Sequence, residues 1–185
     1  MSLELYSTIL TLGSIGLCVS LIIFLALYFL SPKLKSHTLT HKNSYTHLLH
    51  FILLVTTFSV ITSLVYQLVY ETPVCELCWW QRIFFYPVPI ITAIALWYKT
   101  KESHMTTGIL AVFGLFYASY HYYYHFQGFV LGNKLTLPCS VGGLLPACTN
   151  SPILVFGFAT IPFMGVMMFM SIIIICIFSE LLKEN

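Results

Sequence analysis

The stretch CELCWWQR, Cys75–Arg82, lies between two long apolar runs and brings together two cysteines, two tryptophans and an arginine. The surrounding chain has 185 residues, of which 58% are hydrophobic and only 8% charged, and it contains no aspartate. This composition lies outside the range of soluble globular domains and is typical of a polytopic membrane protein. In such a protein a permanent cation at the membrane boundary is costly and normally has a partner or a function.

Five apolar stretches predict membrane-spanning helices, because each is about as long as the ~20 residues that a helix needs to cross the hydrocarbon. We predict an all-α membrane protein in which a four-helix transmembrane bundle core, residues 47–185, follows one additional N-terminal transmembrane helix and a cytoplasmic loop, residues 1–46. The first stretch lacks a basic n-region and a small-residue cleavage site, so we expect it to be retained. The predicted spans are approximately Leu5–Leu30, Leu48–Tyr70, Trp79–Tyr98, Met105–Gln127 and Pro152–Ser179.

The basic residues predict the orientation, because cytoplasmic loops carry an excess of Lys and Arg. With the N-terminus outside, only Arg82 and Lys134 lie on the outer side. The net charge of +2 therefore reflects topology and does not indicate nucleic-acid binding, which needs a basic patch on one exposed face. The cytoplasmic segments then hold Lys33, Lys35, Lys42, Lys99, Lys101 and Lys183.

The six cysteines divide into two groups once this topology is drawn. Cys18 and Cys176 lie inside the first and last helices, where we expect them to act as small apolar side chains. The others fall at or beyond the outer membrane surface, which is the oxidising side of a bacterial cytoplasmic (inner) membrane. These outer cysteines are Cys75, Cys78, Cys139 and Cys148.

Cys75 and Cys78 form a C-x-x-C motif, which occurs in metal sites, redox sites and structural turns alike. Zinc would need two more ligands. Cys139 and Cys148 are nine positions apart in the chain, which is unlike the spacing of two cysteines in the usual zinc knuckle. A c-type haem would need a histidine where Trp79 stands. We therefore expect a redox role and no metal.

The apolar run after Pro73 predicts a helix that begins near Cys75 or Glu76, with both thiols in its first turn. Unpaired N–H groups at a helix N-terminus favour the nucleophilic thiolate. Arg82 follows Cys78 by four residues and thus lies on the same helix face, one turn deeper. It can stabilise a Cys78 thiolate or polarise a bound oxidant. The alternative is that it only snorkels to the interface.

The second outer pair lies in the segment LPCSVGGLLPACTN, Leu137–Asn150. One interpretation is a structural disulfide, which would stabilise the fold by roughly 2.7 kcal/mol if it closes a loop of about ten residues. The other is dithiol exchange with the C-x-x-C pair. Both remain open from the residues alone.

Four segments carry a resemblance to a known family. CELCWWQRIFFYP, Cys75–Pro87, resembles the C-x-L-C-W-x-Q-R-x-x-x-Y-P signature of the DsbB family of quinone-linked disulfide oxidoreductases, including its BdbC branch. LPCS, Leu137–Ser140, with FGFATIPFM, Phe156–Met164, is similar to the second redox loop and final helix of that branch. YHYYYHFQG, Tyr120–Gly128, resembles the histidine-bearing end of the preceding helix. These segments are spread over residues 75–164, within the region 47–179 to which the resemblance applies.

The resemblance implies that the protein re-oxidises a DsbA-like thioredoxin-fold partner. Cys139 would form the mixed disulfide with this partner, and Cys148 would be its disulfide mate. Cys75 would accept electrons from that pair, and Cys78 would face the oxidant. The loop is a departure from the family, because only eight residues separate Cys139 from Cys148 and leave no room for a membrane-lying helix.

The oxidant implied by the resemblance is a membrane quinone, either ubiquinone or menaquinone, delivered by the lipid. Arg82 and Gln81 would lie beside the quinone head group, and His121 would be a hydrogen-bond donor to a quinone carbonyl. We expect His125, one turn on, to belong to the interfacial aromatic belt. Four aromatic residues could border the pocket or serve as belt and packing residues, namely Trp79, Trp80, Phe84 and Tyr86.

Two other functions remain as alternatives. A vitamin K epoxide reductase-like enzyme also couples loop cysteines to a quinone, but there the C-x-x-C follows the loop cysteines instead of preceding them. A non-catalytic membrane scaffold with two structural disulfides would leave Arg82 and Gln81 without a reason.

Overall fold

The computed structural model describes residues 2–31, 44–100, 103–132 and 153–183. Within these ranges the chain forms α-helices, and the predicted all-α membrane fold is confirmed. Cys139 and Cys148 lie outside the described residues. The helices are α1 (Leu3–Leu30), α2 (Ser44–Leu68), α3 (Glu76–Phe85), α4 (Pro87–Tyr98), α5 (Ser103–His125) and α6 (Ile161–Lys183).

The third predicted span is divided into two helices, α3 and α4, which meet at Tyr86. Pro87 is the first residue of α4 and Pro89 is its third, and neither can donate a backbone hydrogen bond. Tyr86 keeps helical dihedrals, and its N–H still bonds to the Arg82 carbonyl at 2.8 Å. The prediction of one continuous span over Trp79–Tyr98 was therefore wrong, whereas the predicted helix start near Cys75 or Glu76 is confirmed.

The last predicted span begins later in the chain than expected. Residues 153–160 form a tight turn closed by a bridge between Val155 and Ala159, with positive φ at Phe156 (54°) and Gly157 (77°). Helix α6 starts only at Ile161, and Pro162 occupies its first turn, where a missing N–H costs nothing. By length and apolar composition three described helices could cross a membrane, namely α1, α2 and α6.

The core lies where α3, α5 and α6 meet. Phe85, Ala118 and Phe169 are buried there together. Helices α5 and α6 approach closely at Gly114, where an added Cβ would collide with the Phe169 ring. The outward faces are apolar, as lipid requires: Leu54, for example, is 70% exposed. Cys18 and Cys176 are buried inside α1 and α6, in agreement with the structural role expected for them.

Helix α1 packs along α6, and its backbone stays apart from that of α2. Tyr28 near the end of α1 contacts Phe178 of α6, with the ring centroids 4.9 Å apart. At the opposite end of α1, Tyr66 of α2 donates a hydrogen bond to Ser7 at 3.1 Å. This arrangement makes α1 and α2 antiparallel. It leaves a gap between them that extends from the Ser7–Tyr66 bond toward the C-terminal end of α1.

Candidate redox site

The C-x-x-C pair lies at the start of α3, as predicted. Cys75 is the N-cap residue in extended conformation, and the helix begins at Glu76. The Trp79 N–H bonds to the Cys75 carbonyl at 3.3 Å, so both thiols belong to the first turn. The Sγ atoms of Cys75 and Cys78 are 3.1 Å apart. Because a disulfide bond is about 2.05 Å long, only a small rotation would join them.

The two sulfur atoms have different surroundings. Cys75 is 4% exposed and packs with Leu77, Tyr117 and Tyr120. Cys78 is more accessible, and it lines a large cavity to which Cys75 does not contribute. The two thiols can therefore meet different reactants.

His121, near the end of α5, lies directly against the cysteine pair. Its Nε2 atom is 3.5 Å from the Cys75 Sγ atom, and its Nδ1 atom is 2.8 Å from the Gln81 Nε2 atom. With the amide nitrogen donating to Nδ1, the ring proton is on Nε2 and points at the Cys75 sulfur. The Gln81 amide reaches this position because residue 165 of α6 is glycine, where an added Cβ would lie 2.8 Å from Gln81 Oε1. Gln81 thus orients His121, and His121 can stabilise a thiolate at Cys75.

Arg82 is held by polar groups of α2. Its Nε atom donates to Ser63 Oγ at 3.2 Å, one terminal nitrogen donates to Gln67 Oε1 at 2.5 Å, and the other donates to the Ser63 carbonyl at 3.3 Å. The guanidinium also lies 5.3 Å from the Trp79 ring centroid. Among the described residues no carboxylate forms an ion pair with Arg82. Its positive charge is therefore available to a bound electron-rich group.

A cavity of about 560 Å³ joins these groups. Cys78, Gln81, Arg82 and His121 meet in its wall, and most of the remaining lining is apolar. Ligand pockets of small molecules have volumes of about 300–1,000 Å³ and combine an apolar lining with a few convergent polar groups. The cavity therefore suits an amphipathic molecule with a small polar ring.

The structure distinguishes the two roles left open for four neighbouring aromatic residues, and it corrects the expectation for His125. Of the four suggested pocket residues, only Tyr86 lines the cavity. Trp80 instead stacks on Tyr117, with centroids 5.4 Å apart, and Phe84 also stacks against Tyr117 at 5.5 Å. His125, expected in the interfacial belt, is 1% exposed, because α5 turns this face toward the bundle.

Two site residues were missed in the sequence. Ser63 and Gln67 are polar residues four positions apart in an apolar helix, which places them on one face. Polar side chains inside a span usually face the protein interior and often mark a functional path. The four-residue spacing of Ser63 and Gln67 was the sequence feature that could have indicated the partners of Arg82.

Three potential metal ligands also come together here. The donor atoms of Cys75, Cys78 and His121 lie within 4.8 Å of one another. A structural zinc site has four ligands as a rule, and in the described part of the chain this group has three. The expectation that the protein uses no metal remains a prediction.

Comparisons with known proteins give the family. The family profile described as "Disulfide bond formation protein DsbB" matches residues 45–179. The SPbeta prophage-derived disulfide bond formation protein B of Bacillus subtilis is 33% identical over 69% of this chain and 84% of its own length. A probable disulfide formation protein of Coxiella burnetii is 33% identical over 74% of this chain and 90% of its own. Disulfide bond formation protein C of Bacillus subtilis is 38% identical over 59% of this chain and 72% of its own length.

No solved structure matches the fold. The family match includes the cysteine pair, Gln81, Arg82 and His121, whereas α1 precedes it. The family match supports thiol–disulfide oxidoreduction as the activity of the chain. The chain belongs to the DsbB family of disulfide bond formation proteins.

Proposed function

We propose that this membrane protein re-oxidises a DsbA-like thioredoxin-fold thiol oxidase and transfers the electrons to a membrane quinone. The observation that carries the proposal is the cavity in which Cys78 meets Gln81, Arg82 and His121. A redox-active thiol, hydrogen-bond donors on Gln81 and Arg82 and an apolar extension are what a quinone ring with an isoprenoid tail requires.

The residues around the cavity fit such a group. A quinone ring carries two carbonyl oxygens, which accept hydrogen bonds, and Arg82 provides charged donors beside Cys78. When bound, the quinone would supply a two-electron, two-proton acceptor. Gln81 and Arg82 would hold its ring, His121 would line the cavity beside it, and the apolar lining would exclude water from the Cys78 thiol.

The exchange steps balance without any further reactant. The partner dithiol gives two electrons and two protons to the Cys139–Cys148 disulfide, through a mixed disulfide at Cys139, and leaves as a disulfide. The resulting dithiol reduces the Cys75–Cys78 disulfide in the same way. Attack on Cys75 releases the Cys78 thiolate and forms a mixed disulfide at Cys75. When this mixed disulfide is resolved, His121 stabilises the thiolate that leaves at Cys75, since its Nε2 atom is 3.5 Å from that sulfur.

We further propose that the N-terminus and the four redox cysteines lie on the outer side of a bacterial cytoplasmic membrane. The support is the excess of lysines in the opposite loops and the oxidising conditions that a disulfide relay needs. The division into residues 1–46 and a redox domain of residues 47–185 is part of the same proposal.

The direct test is a reconstituted reaction of the purified chain with a reduced DsbA-like protein and a quinone, followed by quinone absorbance. We expect one quinone reduced for each partner disulfide formed. Cys75→Ser and Cys139→Ser should abolish the reaction. Cys18→Ala and Cys176→Ala are the matched controls and should retain it, since both thiols are buried in helices away from the cavity.

The same reaction distinguishes the enzyme from a scaffold. In a scaffold the Cys75–Cys78 pair would keep one redox state when partner and quinone are added. In the proposed enzyme its redox state should cycle, as alkylation of trapped samples would show. If the chain exchanges disulfides with the partner but reduces no quinone, the proposed acceptor is wrong and the proposed thiol exchange still stands.

A further inference from the structure

Helix α1 supplies one wall of the cavity, although it lies outside the part of the chain that matches the family. Ile9, Leu10, Gly13, Ser14 and Leu17 line the cavity from α1. The opposite wall comes from α2. Since the backbones of α1 and α2 stay apart, the cavity occupies the gap between them.

The depth of this gap follows from the antiparallel arrangement of the two helices. Ser7 lies opposite Tyr66, so with equal rise per residue Gly13 lies near the level of residue 60 in α2. Arg82 is anchored to Ser63 and Gln67, which on average lie about five residues closer to the C-terminal end of α2 than residue 60 does. At about 1.5 Å per residue, Gly13 is roughly 7 Å deeper in the membrane than the arginine anchor.

The gap is open toward the lipid. Several of its lining residues are also exposed on the outer surface of the bundle: Ile9 is 53% exposed on α1, and on α2 Leu54 is 70% and Phe58 61% exposed. Gly13 is exposed too, and an added Cβ there would meet no atom within 4 Å. Below the gap, Leu21 of α1 packs into the cluster around Ile52 of α2 and closes it.

We propose that α1 is a wall of the quinone site and that the isoprenoid tail leaves the cavity between α1 and α2, past Gly13. The inference rests on the proposed function, because it places the tail of the molecule whose ring would lie beside Cys78 and Arg82. Gln81, Arg82 and His121 are at one end of the cavity, and its mostly apolar continuation reaches lipid between α1 and α2. Helix α1 thereby turns an open groove on α2 and α6 into a slot with two sides.

The test uses a photoreactive quinone with a diazirine on its tail, added to the purified wild-type protein in lipid nanodiscs. After irradiation we expect labelled peptides from α1 around Gly13 and from α2 around Phe58. Unlabelled quinone in excess should suppress this labelling, which separates the site from general contact with lipid. Competed labelling confined to α4 and α5 would overturn the proposal whether or not any variant folds.

A matched pair of substitutions gives the second readout. Gly13→Leu places a side chain in the slot, whereas Gly16→Leu adds the same group at an exposed position of α1 that does not line the cavity. For a long-tailed quinone, Gly13→Leu should raise KM by about tenfold, which corresponds to about 1.4 kcal/mol. Gly16→Leu, which lies outside the cavity, should stay within about twofold of wild type with either quinone, a change of less than about 0.5 kcal/mol. The KM ratio of Gly13→Leu to Gly16→Leu should be smaller for a tailless quinone than for the long-tailed one.

The outcomes separate the two proposals. If the wild-type protein reduces no quinone, the proposed function fails. If it reduces both quinones and Gly13→Leu leaves the long-tailed KM equal to that of Gly16→Leu, only the assignment of α1 fails. Formation of the mixed disulfide with the partner should be unaffected in both variants. A variant that fails to form it is misfolded, and the photolabelling of the wild-type protein then tests the assignment of α1.

Discussion

Replacing Arg82 by methionine is the most direct perturbation of the site. The change keeps an unbranched side chain of similar length and removes the charge. Arg82 donates three hydrogen bonds to α2, to Ser63 Oγ, the Ser63 carbonyl and Gln67 Oε1. Its guanidinium lines the cavity beside Cys78. The substitution therefore removes a positive charge that none of the described carboxylates neutralises.

The expected magnitude follows from the bond that would be lost to the bound quinone. A charge-assisted hydrogen bond contributes about 1.5–3 kcal/mol, and each 1.4 kcal/mol corresponds to about a factor of ten. Arg82→Met should therefore lower kcat/KM for the quinone by about ten- to a hundredfold. Arg82→Lys should recover only part of this loss, because an ammonium keeps the charge but lacks the planar fork that bonds two acceptors at once.

The assay must separate the quinone step from the thiol steps and from stability. Thiol exchange is followed without quinone, by the disulfide formed in the partner during a single turnover, and the quinone step by absorbance. Arg82→Met also leaves the Gln67 and Ser63 acceptors without their donor, which costs about 1–3 kcal/mol of stability for each group that stays buried and unsatisfied. Thermal unfolding of each variant is therefore measured alongside.

Gln67→Met provides the matched control, because it removes an anchor of the arginine and keeps its charge. We expect Gln67→Met to raise the quinone KM by a smaller factor than Arg82→Met while leaving kcat nearly unchanged. Quinone kinetics of Arg82→Met equal to those of the wild type would refute the reasoning. The arginine would then be an anchor of α3 on α2 and nothing more.

Three further predictions address the relay, the topology and the positioning of the histidine. Cys148→Ser should accumulate a mixed disulfide with the thioredoxin-fold partner through Cys139, seen on a non-reducing gel, and absence of any adduct would contradict the assigned electron-accepting residue. A cysteine tag at Ser2 should react with an impermeant maleimide in intact cells while a tag in the loop between α4 and α5 should not, and the reverse pattern would place the relay in a reducing compartment. Gly165→Ala should displace the Gln81 amide and slow oxidation of the C-x-x-C pair several-fold without change in partner binding; an unchanged rate would show that this contact has no role.

The sequence contained enough local information to predict the start of α3 and the relation of Arg82 to the cysteines. Pro73 and the apolar run that follows determined the helix start, and a spacing of four residues determined the shared face. These features depend on neighbours along the chain. Both survive in the structure, where Cys75 caps the helix and Cys78 and Arg82 line one cavity.

The remaining features depend on how helices pack against one another. His121 and His125 lie on one face of α5, and only the packing of α3 against α5 decides which of them contacts Cys75. In the same way Gly165, an unremarkable residue of an apolar helix, makes room for Gln81 only because α6 passes close to α3 there. The break at Pro87 was visible in the sequence, but the uninterrupted apolar run suggested one helix.

The unequal surroundings of the two cysteines constrain the order of events in the proposed cycle. Attack on a disulfide depends on access to the sulfur that is attacked, and Cys75 is covered by Leu77, Tyr117 and Tyr120. Exchange with the Cys139–Cys148 pair therefore requires a local opening of this cover, while Cys78 remains in contact with the cavity throughout. Such an opening would admit electrons from the partner without exposing the quinone side to other thiols. In the reduced protein alone, Cys78 should accordingly be alkylated faster than Cys75.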